Sequence, residues 1–154
     1  MISVEAYRER VMALVDARTL GVEQVALADA RGRVLAAALR ARLAVPPFDN
    51  SAMDGLAVRA ADVDRVPVEL AVIGESAAAG GSIPRLRPGA AVRVMTGGRV
   101  PPGADAVVPV ELTDQPPGAA PPPERAPVLE AVAPGRHIRR AADYTAAGDP
   151  VLPA

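Results

Sequence analysis

Phe48 and Asn50, the only phenylalanine and the only asparagine of the chain, stand within the run Pro46-Pro47-Phe48-Asp49-Asn50-Ser51-Ala52-Met53-Asp54-Gly55. The sequence around them is built largely from Ala, Val, Arg, Gly and Pro, with no Lys, Cys or Trp. A compact loop carrying Asp49 and Asp54 could bring both carboxylates to one Mg²⁺ or one leaving group. A plain turn explains part of the run, because Pro46-Pro47 fixes an extended approach and Asp and Asn bond their own backbone in tight turns. It does not require Phe48, Met53 and a second carboxylate together.

Two further clusters carry polar groups. Arg93-Val94-Met95-Thr96-Gly97-Gly98 reads as a strand ending in a hydroxyl and closely approachable backbone amides, a pattern suited to an oxyanion or phosphate. An ordinary glycine hairpin fits it equally on local sequence. Gly135-Arg136-His137-Ile138-Arg139-Arg140, with Asp143 behind it, gathers arginines able to clamp phosphate through paired bonds, or simply to form a solvated face. His137 has no second His and no Cys to share a transition metal, so it reads as structural.

The elements that must position these groups follow from periodicity. Val4, Tyr7, Val11, Leu14 and Val15 form one stripe of an amphipathic helix over residues 3–18, with Ser3 as its cap. Val22–Leu27 reads as a short strand, Asp29–Leu35 as a helical turn or two, and Arg40–Val45 as extended. Short apolar segments then recur between Gly and Pro punctuation: Gly55–Arg59, Val66–Ile73, Ala90–Met95, Ala106–Val110 and Val128–Val132. They predict a small, mostly antiparallel β domain, barrel or sandwich. The Pro-rich tract at 116–127 lies between two of these segments and reads as a solvent-exposed hairpin loop without a function of its own.

Composition bounds the partners. Seventeen arginines nearly cancel eighteen Asp and Glu, which argues against nucleic acid or an anionic membrane as a target. Without cysteine there is no disulfide framework and no thiolate metal site. The start of the chain shows no basic segment followed by an apolar one, and no apolar run approaches a membrane span, so a cytoplasmic protein is expected.

Taken together, Pro46–Gly55, Val94-Met95-Thr96-Gly97-Gly98, Pro101-Pro102-Gly103-Ala104-Asp105-Ala106-Val107-Val108-Pro109-Val110-Glu111 and His137-Ile138-Arg139-Arg140 resemble molybdopterin molybdenumtransferases of the MoeA type, related to the enzymatic domain of gephyrin. The resemblance runs in order over nearly the whole chain. It implies a mixed α+β, mainly β, N-terminal portion: an N-terminal helix and the first part of a linking domain at 1–45, an inserted small β-barrel-like domain at 46–139, and a return to the linking domain at 140–154. The implied reaction is insertion of molybdate into adenylylated molybdopterin with release of AMP, dependent on Mg²⁺.

On the matching positions Asp54 and Thr96 would be catalytic, with Asp54 the candidate Mg²⁺ ligand. Asp49, Asn50, Ser51, Gly97, Arg139 and Asp143 would bind substrate. Family members form homodimers in which the β domain of one protomer completes the cleft of the other, and contacts with a molybdoenzyme or a molybdopterin adenylyltransferase are expected. They also continue into a substrate-binding α/β domain and a C-terminal β domain that these 154 residues do not include, so the chain by itself is expected to be inactive. Leu56 stands where the family usually has Tyr, Gly98 where it has Ala, and Ala142-Asp143-Tyr144 where it has Gly-Glu-Asp. The rival expectation is a non-catalytic dimerisation or interaction module.

Overall fold

The computed structural model describes residues 2–16, 21–78, 81–115 and 121–153. It divides into two compact units, one of Met1–Leu39 with Val151–Ala154 and the other of Arg40–Pro150. The second unit begins six residues before and ends eleven residues after the span 46–139 that the sequence suggests. Among the described residues no helix is long and apolar enough to cross a membrane.

In the first unit the helix α1 runs from Val4 to Asp16. Its start is fixed as expected: Ser3 Oγ accepts from Ala6 N–H at 3.1 Å, and Ser3 C=O from Tyr7 N–H at 3.0 Å. Residues 17–18 of the predicted helix lie outside the described residues. The apolar stripe is open to solvent, with Val4 80%, Tyr7 62% and Leu14 76% exposed. The expected strand at Val22–Leu27 does not form. Residues 21–26 are irregular and Leu27–Asp29 is a single 3-10 turn, because the segment has no neighbouring strand to satisfy its ladder.

The second unit is β-rich, and the first and last strands of the chain straddle its limits. The strands are β1 (Leu39–Arg40), β2 (Asn50–Ser51), β3 (Gly55–Val58), β4 (Val68–Ser76), β5 (Ala90–Val94), β6 (Ala106–Pro109), β7 (Arg125–Val128), β8 (Ile138–Arg139) and β9 (Pro150–Leu152). β1 pairs with β9, β2 with β8, and the remaining five form one sheet in the order β6-β3-β5-β4-β7. After β6 the chain makes a 3-10 turn over Val110–Leu112, and Thr113 then bridges to Val128 of β7. One margin of the sheet is thereby tied to the other, so the sheet curls.

Most of its pairings are antiparallel, but β4 and β5 run parallel. The thirteen residues from Ala77 to Gly89 explain this, since a connection of that length lets the chain return before β5 begins. The last expected strand is also displaced, from Val128–Val132 to Arg125–Val128. Part of the Pro-rich tract is therefore sheet. Pro127 is tolerated because β7 is the margin of the sheet, where a missing N–H costs little.

Leu56, Val58, Val63, Leu70, Ala91, Val108 and Val128 form the principal core, each at most 3% exposed. In a chain with one phenylalanine the core is packed from Ala, Val and Leu, and backbones must approach closely for it to fill. Gly55 shows this: a Cβ there would lie 2.0 Å from Val108 O on β6. All four residues of β3 are buried, which anchors Asp54 directly before it.

Candidate functional site

Asp54 leaves the loop at 46–54 just as β3 begins, and Thr96 leaves β5 just after it ends. The antiparallel register pairs Gly55 with Val94, which brings two residues 42 positions apart into contact. Asp54 Oδ1 accepts from Thr96 N–H at 2.7 Å and from Thr96 Oγ1 at 2.8 Å. The Thr96 backbone N–H first, then its hydroxyl, hold the Asp54 carboxyl below its ordinary 3.8. Partial burial works against them, and the positive charge of Arg93 assists. Asp54 is thus an ionised carboxylate fixed at one oxygen.

The Thr-Gly-Gly turn is not an anion receptor with free amides. Thr96 N–H goes to Asp54, Gly97 N–H to Ser51 C=O at 2.9 Å, and Gly98 N–H to Met95 C=O at 2.7 Å. The anion it receives is the protein's own. Gly97, at φ +81°, has open space around its Cα.

The rest of the Pro46–Gly55 run is a scaffold for Asp54. Ser51 is fully buried, donates from Oγ to Met53 C=O at 2.5 Å and accepts from Met53 N–H at 3.2 Å, closing the turn that leads to Asp54. Its own N–H goes to Gly98 C=O at 2.9 Å. Asn50 is 6% exposed, donates from Nδ2 to Phe48 C=O at 3.3 Å, and lies opposite both Arg139 of β8 and Arg99. The Arg99 guanidinium sits 4.5 Å from the centre of the Phe48 ring, a cation–π contact.

Asp49 bonds a different segment from Asp54. Its Oδ1 accepts from Ala141 N–H at 2.8 Å and its Oδ2 from Arg140 Nη1 at 2.7 Å, and those bonds, the amide first, hold its carboxyl below the ordinary value. Asp49 ties the 137–142 segment to the loop, while Asp54 is tied to β5. The two carboxylates of the run are thus each committed to a different segment.

Asp143 likewise closes its own turn, its Oδ2 accepting from Arg140 N–H at 2.7 Å. Arg139 contributes backbone pairing to Asn50 through β8. His137 adopts φ 58° and its C=O accepts from Ala52 N–H at 2.9 Å, consistent with a structural role. Burial, then the charge of Arg136, push its imidazole below 6.5.

A cleft of about 60 Å³ opens beside Asp54, and Leu56, Arg93, Met95, Gln115, Pro121 and Pro123 contribute to its wall. Sequence reasoning missed Arg93, Gln115 and the two prolines. Arg93 was visible in the same run as Thr96, two strand positions before Met95, whereas Gln115 and the prolines carry no signal that separates them from loop. Among the described residues no group of three or more His, Cys, Asp or Glu is assembled that could hold a metal ion. Asp54 can therefore offer one carboxylate to an ion, and the rest of the shell would have to be water and substrate oxygens, a common arrangement for Mg²⁺.

Residues 2–154 match the family described as the MoeA N-terminal region (domain I and II), and the chain belongs to that family. It is 43% identical over 132 residues to molybdopterin molybdenumtransferase 2 of Mycobacterium tuberculosis H37Rv, which covers 83% of this chain and 31% of that protein. It is 37% identical over 159 residues to the molybdopterin molybdenumtransferase of Synechococcus elongatus, covering 99% of the chain and 38% of the relative. The crystal structure of the molybdopterin biosynthesis moeA protein of Pyrococcus horikoshii OT3 superposes with a TM-score of 0.82 at 35% identity, over 96% of this chain and 39% of that one. The chain thus spans about a third of the length of the relatives it matches.

Proposed function

We infer that the chain serves molybdenum cofactor biosynthesis as the N-terminal portion of a molybdopterin molybdenumtransferase, which inserts molybdate into adenylylated molybdopterin and releases AMP. The observation that carries this reading is the Asp54–Thr96 clamp: a carboxylate kept ionised at the mouth of a cleft, inside the most distinctive run of the sequence. Molybdate and the phosphates of the adenylylated substrate are anions, so an anionic Asp54 can approach them productively only across a cation. Mg²⁺ held by Asp54, water and substrate oxygens would supply that positive charge and polarise the phosphoanhydride. Arg93, on the same cleft, adds a fixed one. A cleft of this size cannot enclose the whole substrate, and the remaining surface would come from the other two-thirds of a full-length enzyme and, as in the resemblance, from the second protomer of a homodimer.

A second reading, an interaction module without catalysis, is favoured by the exposed apolar stripe of α1. One experiment separates them. Residues 1–154 are joined to the C-terminal two-thirds of a relative and tested for restoring molybdoenzyme activity in cells lacking the transferase. The chimera should restore activity, the 154 residues alone should not, and Asp54→Ala in the chimera should abolish it. Equal rescue by Asp54→Ala would leave only the interaction reading.

A further inference from the structure

The Asn50 carboxamide is left half-satisfied by the fold. Its Nδ2 donates to Phe48 C=O at 3.3 Å, while its buried Oδ1 accepts no hydrogen bond among the described residues. A buried acceptor without a donor is costly, and the donors nearest to it in register are guanidiniums. Asn50 is paired with Arg139 of β8 on one side and bridges to Arg99 on the other. Directly opposed residues of antiparallel strands project to one face, so Arg99, Asn50 and Arg139 form a row.

Ser51 N–H to Gly98 C=O at 2.9 Å and Val100 N–H to Asp49 C=O at 3.0 Å frame the Asn50–Arg99 pair, which is therefore of the closer, non-bonded kind. The Cα atoms of the two arginines stand about 10 Å apart with the carboxamide between them, a span that two inward-reaching guanidiniums close around one small anion. Neither arginine has a carboxylate partner among the described residues, whereas Arg140 beside them is committed to Asp49. Arg99 C=O accepts from the buried Ser76 Oγ at 2.7 Å, so its backbone is fixed while its exposed guanidinium rests 4.5 Å from the centre of the Phe48 ring. None of these residues lines the cleft beside Asp54.

We propose that this row is a second binding site, for a phosphate-type dianion, in which Arg99 leaves the Phe48 ring and joins Arg139 in donating to the anion and to Asn50 Oδ1. A guanidinium carries five N–H donors in a fixed fork, so it serves the anion with two and the carboxamide with another. The anion offsets the repulsion between the two positive charges, and the orphan acceptor gains its donor in the occupied arrangement. A cation–π contact at an exposed site is weak beside a charge-assisted bidentate pair, so the Phe48 ring holds Arg99 only until a dianion arrives.

The chain supplies its own reporters, having one asparagine and one phenylalanine. The 154-residue protein, labelled with ¹⁵N-asparagine and ring-¹³C phenylalanine, is titrated with inorganic phosphate and with methyl phosphate at constant ionic strength and about pH 7.5, where both probes are mainly dianions. The Asn50 carboxamide and Phe48 ring signals should move together and saturate at one dissociation constant. Arg99→Gln should weaken binding about tenfold and leave the ring signal still, and Arg139→Gln should weaken it comparably. Amide protection over Ala90–Val94 checks that the sheet persists, and if Arg99→Gln loses it, the affinity criterion passes to Arg139→Gln. Comparable affinities for the two probes assign the site to a phosphate group carried on a larger molecule, and binding of inorganic phosphate alone assigns it to the free ion.

No saturation with either probe, an Asn50 carboxamide that stays unmoved, or unchanged affinity in a folded Arg99→Gln protein overturns the proposal. So does an acetate titration that reproduces the shifts at equal ionic strength, which would make the row a surface for carboxylates instead.

Discussion

Gly55→Ala perturbs the fold at the point that holds Asp54. The added Cβ would stand 2.0 Å from Val108 O, 2.9 Å from Val108 C and 3.0 Å from Pro109 Cα. A carbon and a carbonyl oxygen come no closer than about 3.3 Å in ordinary contact, so β3 and β6 would have to part by roughly 1.3 Å. Both strands are buried along their full length and share four register pairs, Gly55–Pro109 to Val58–Ala106, so the separation cannot be absorbed by a flexible side chain. Overpacking costs about 1–3 kcal/mol and each buried backbone group left without a partner about 1–3 more, which gives roughly 3–5 kcal/mol for the substitution. Gly97→Ala is the control, because its Cα faces open space and only its φ of +81° resists a side chain, at about 1–2 kcal/mol. Urea unfolding followed by far-ultraviolet circular dichroism measures both. If Gly55→Ala costs no more than Gly97→Ala, the close approach of β3 and β6 is not what fixes Asp54.

Thr96→Val removes the hydroxyl donor and leaves the amide, so the Asp54 carboxyl should titrate higher than in the wild type yet stay below 3.8, read by carboxyl ¹³C shifts. Because the folded-state value is depressed, the clamp stabilises fully above the unfolded value near 3.8 and is lost as pH falls through the folded one; melting should drop less steeply in that acid window for Thr96→Val than for the wild type. Ala142→Gly should raise stability by about 0.5–1 kcal/mol, since Ala142 holds φ 65° at a left-handed cost that exceeds the extra chain entropy of glycine; a lowered melting temperature would refute this. Amides of α1 should exchange much faster than those of Ala90–Val94, because the helix stripe is exposed and β5 is mostly buried; equal protection in a monodisperse monomer would contradict the exposure of Val4, Tyr7 and Leu14.

The sequence made the β-rich body legible wherever an apolar run was bounded by Gly or Pro, as in Gly55–Val58, Val68–Ser76, Ala90–Val94 and Ala106–Pro109. It failed where pairing, not pattern, decides. Val22–Leu27 has strand-like residues and no partner, while Arg125–Val128 contains a proline and is a strand because β4 and the margin of the sheet accept it. β2 and β8 are two residues each, too short for any periodicity, and exist because the 137–142 segment lies along the loop. Asp54 and Thr96 both stood out in the sequence, but their contact did not, since it depends on the register of β3 and β5.

That register also explains why the second motif reads differently in space than in sequence. A turn rich in glycine, with a threonine hydroxyl, has the chemistry to receive an anion, and it receives Asp54. The same bonds that occupy the turn keep the carboxylate charged and aim it, both falling on Oδ1. Asp49 shows the parallel solution one turn earlier, its two oxygens taken by Ala141 N–H and Arg140. Of two acids in one run, Asp49 closes a loop against another loop. The other is anchored by a buried strand and lines a cleft, with both of its bonds on one oxygen.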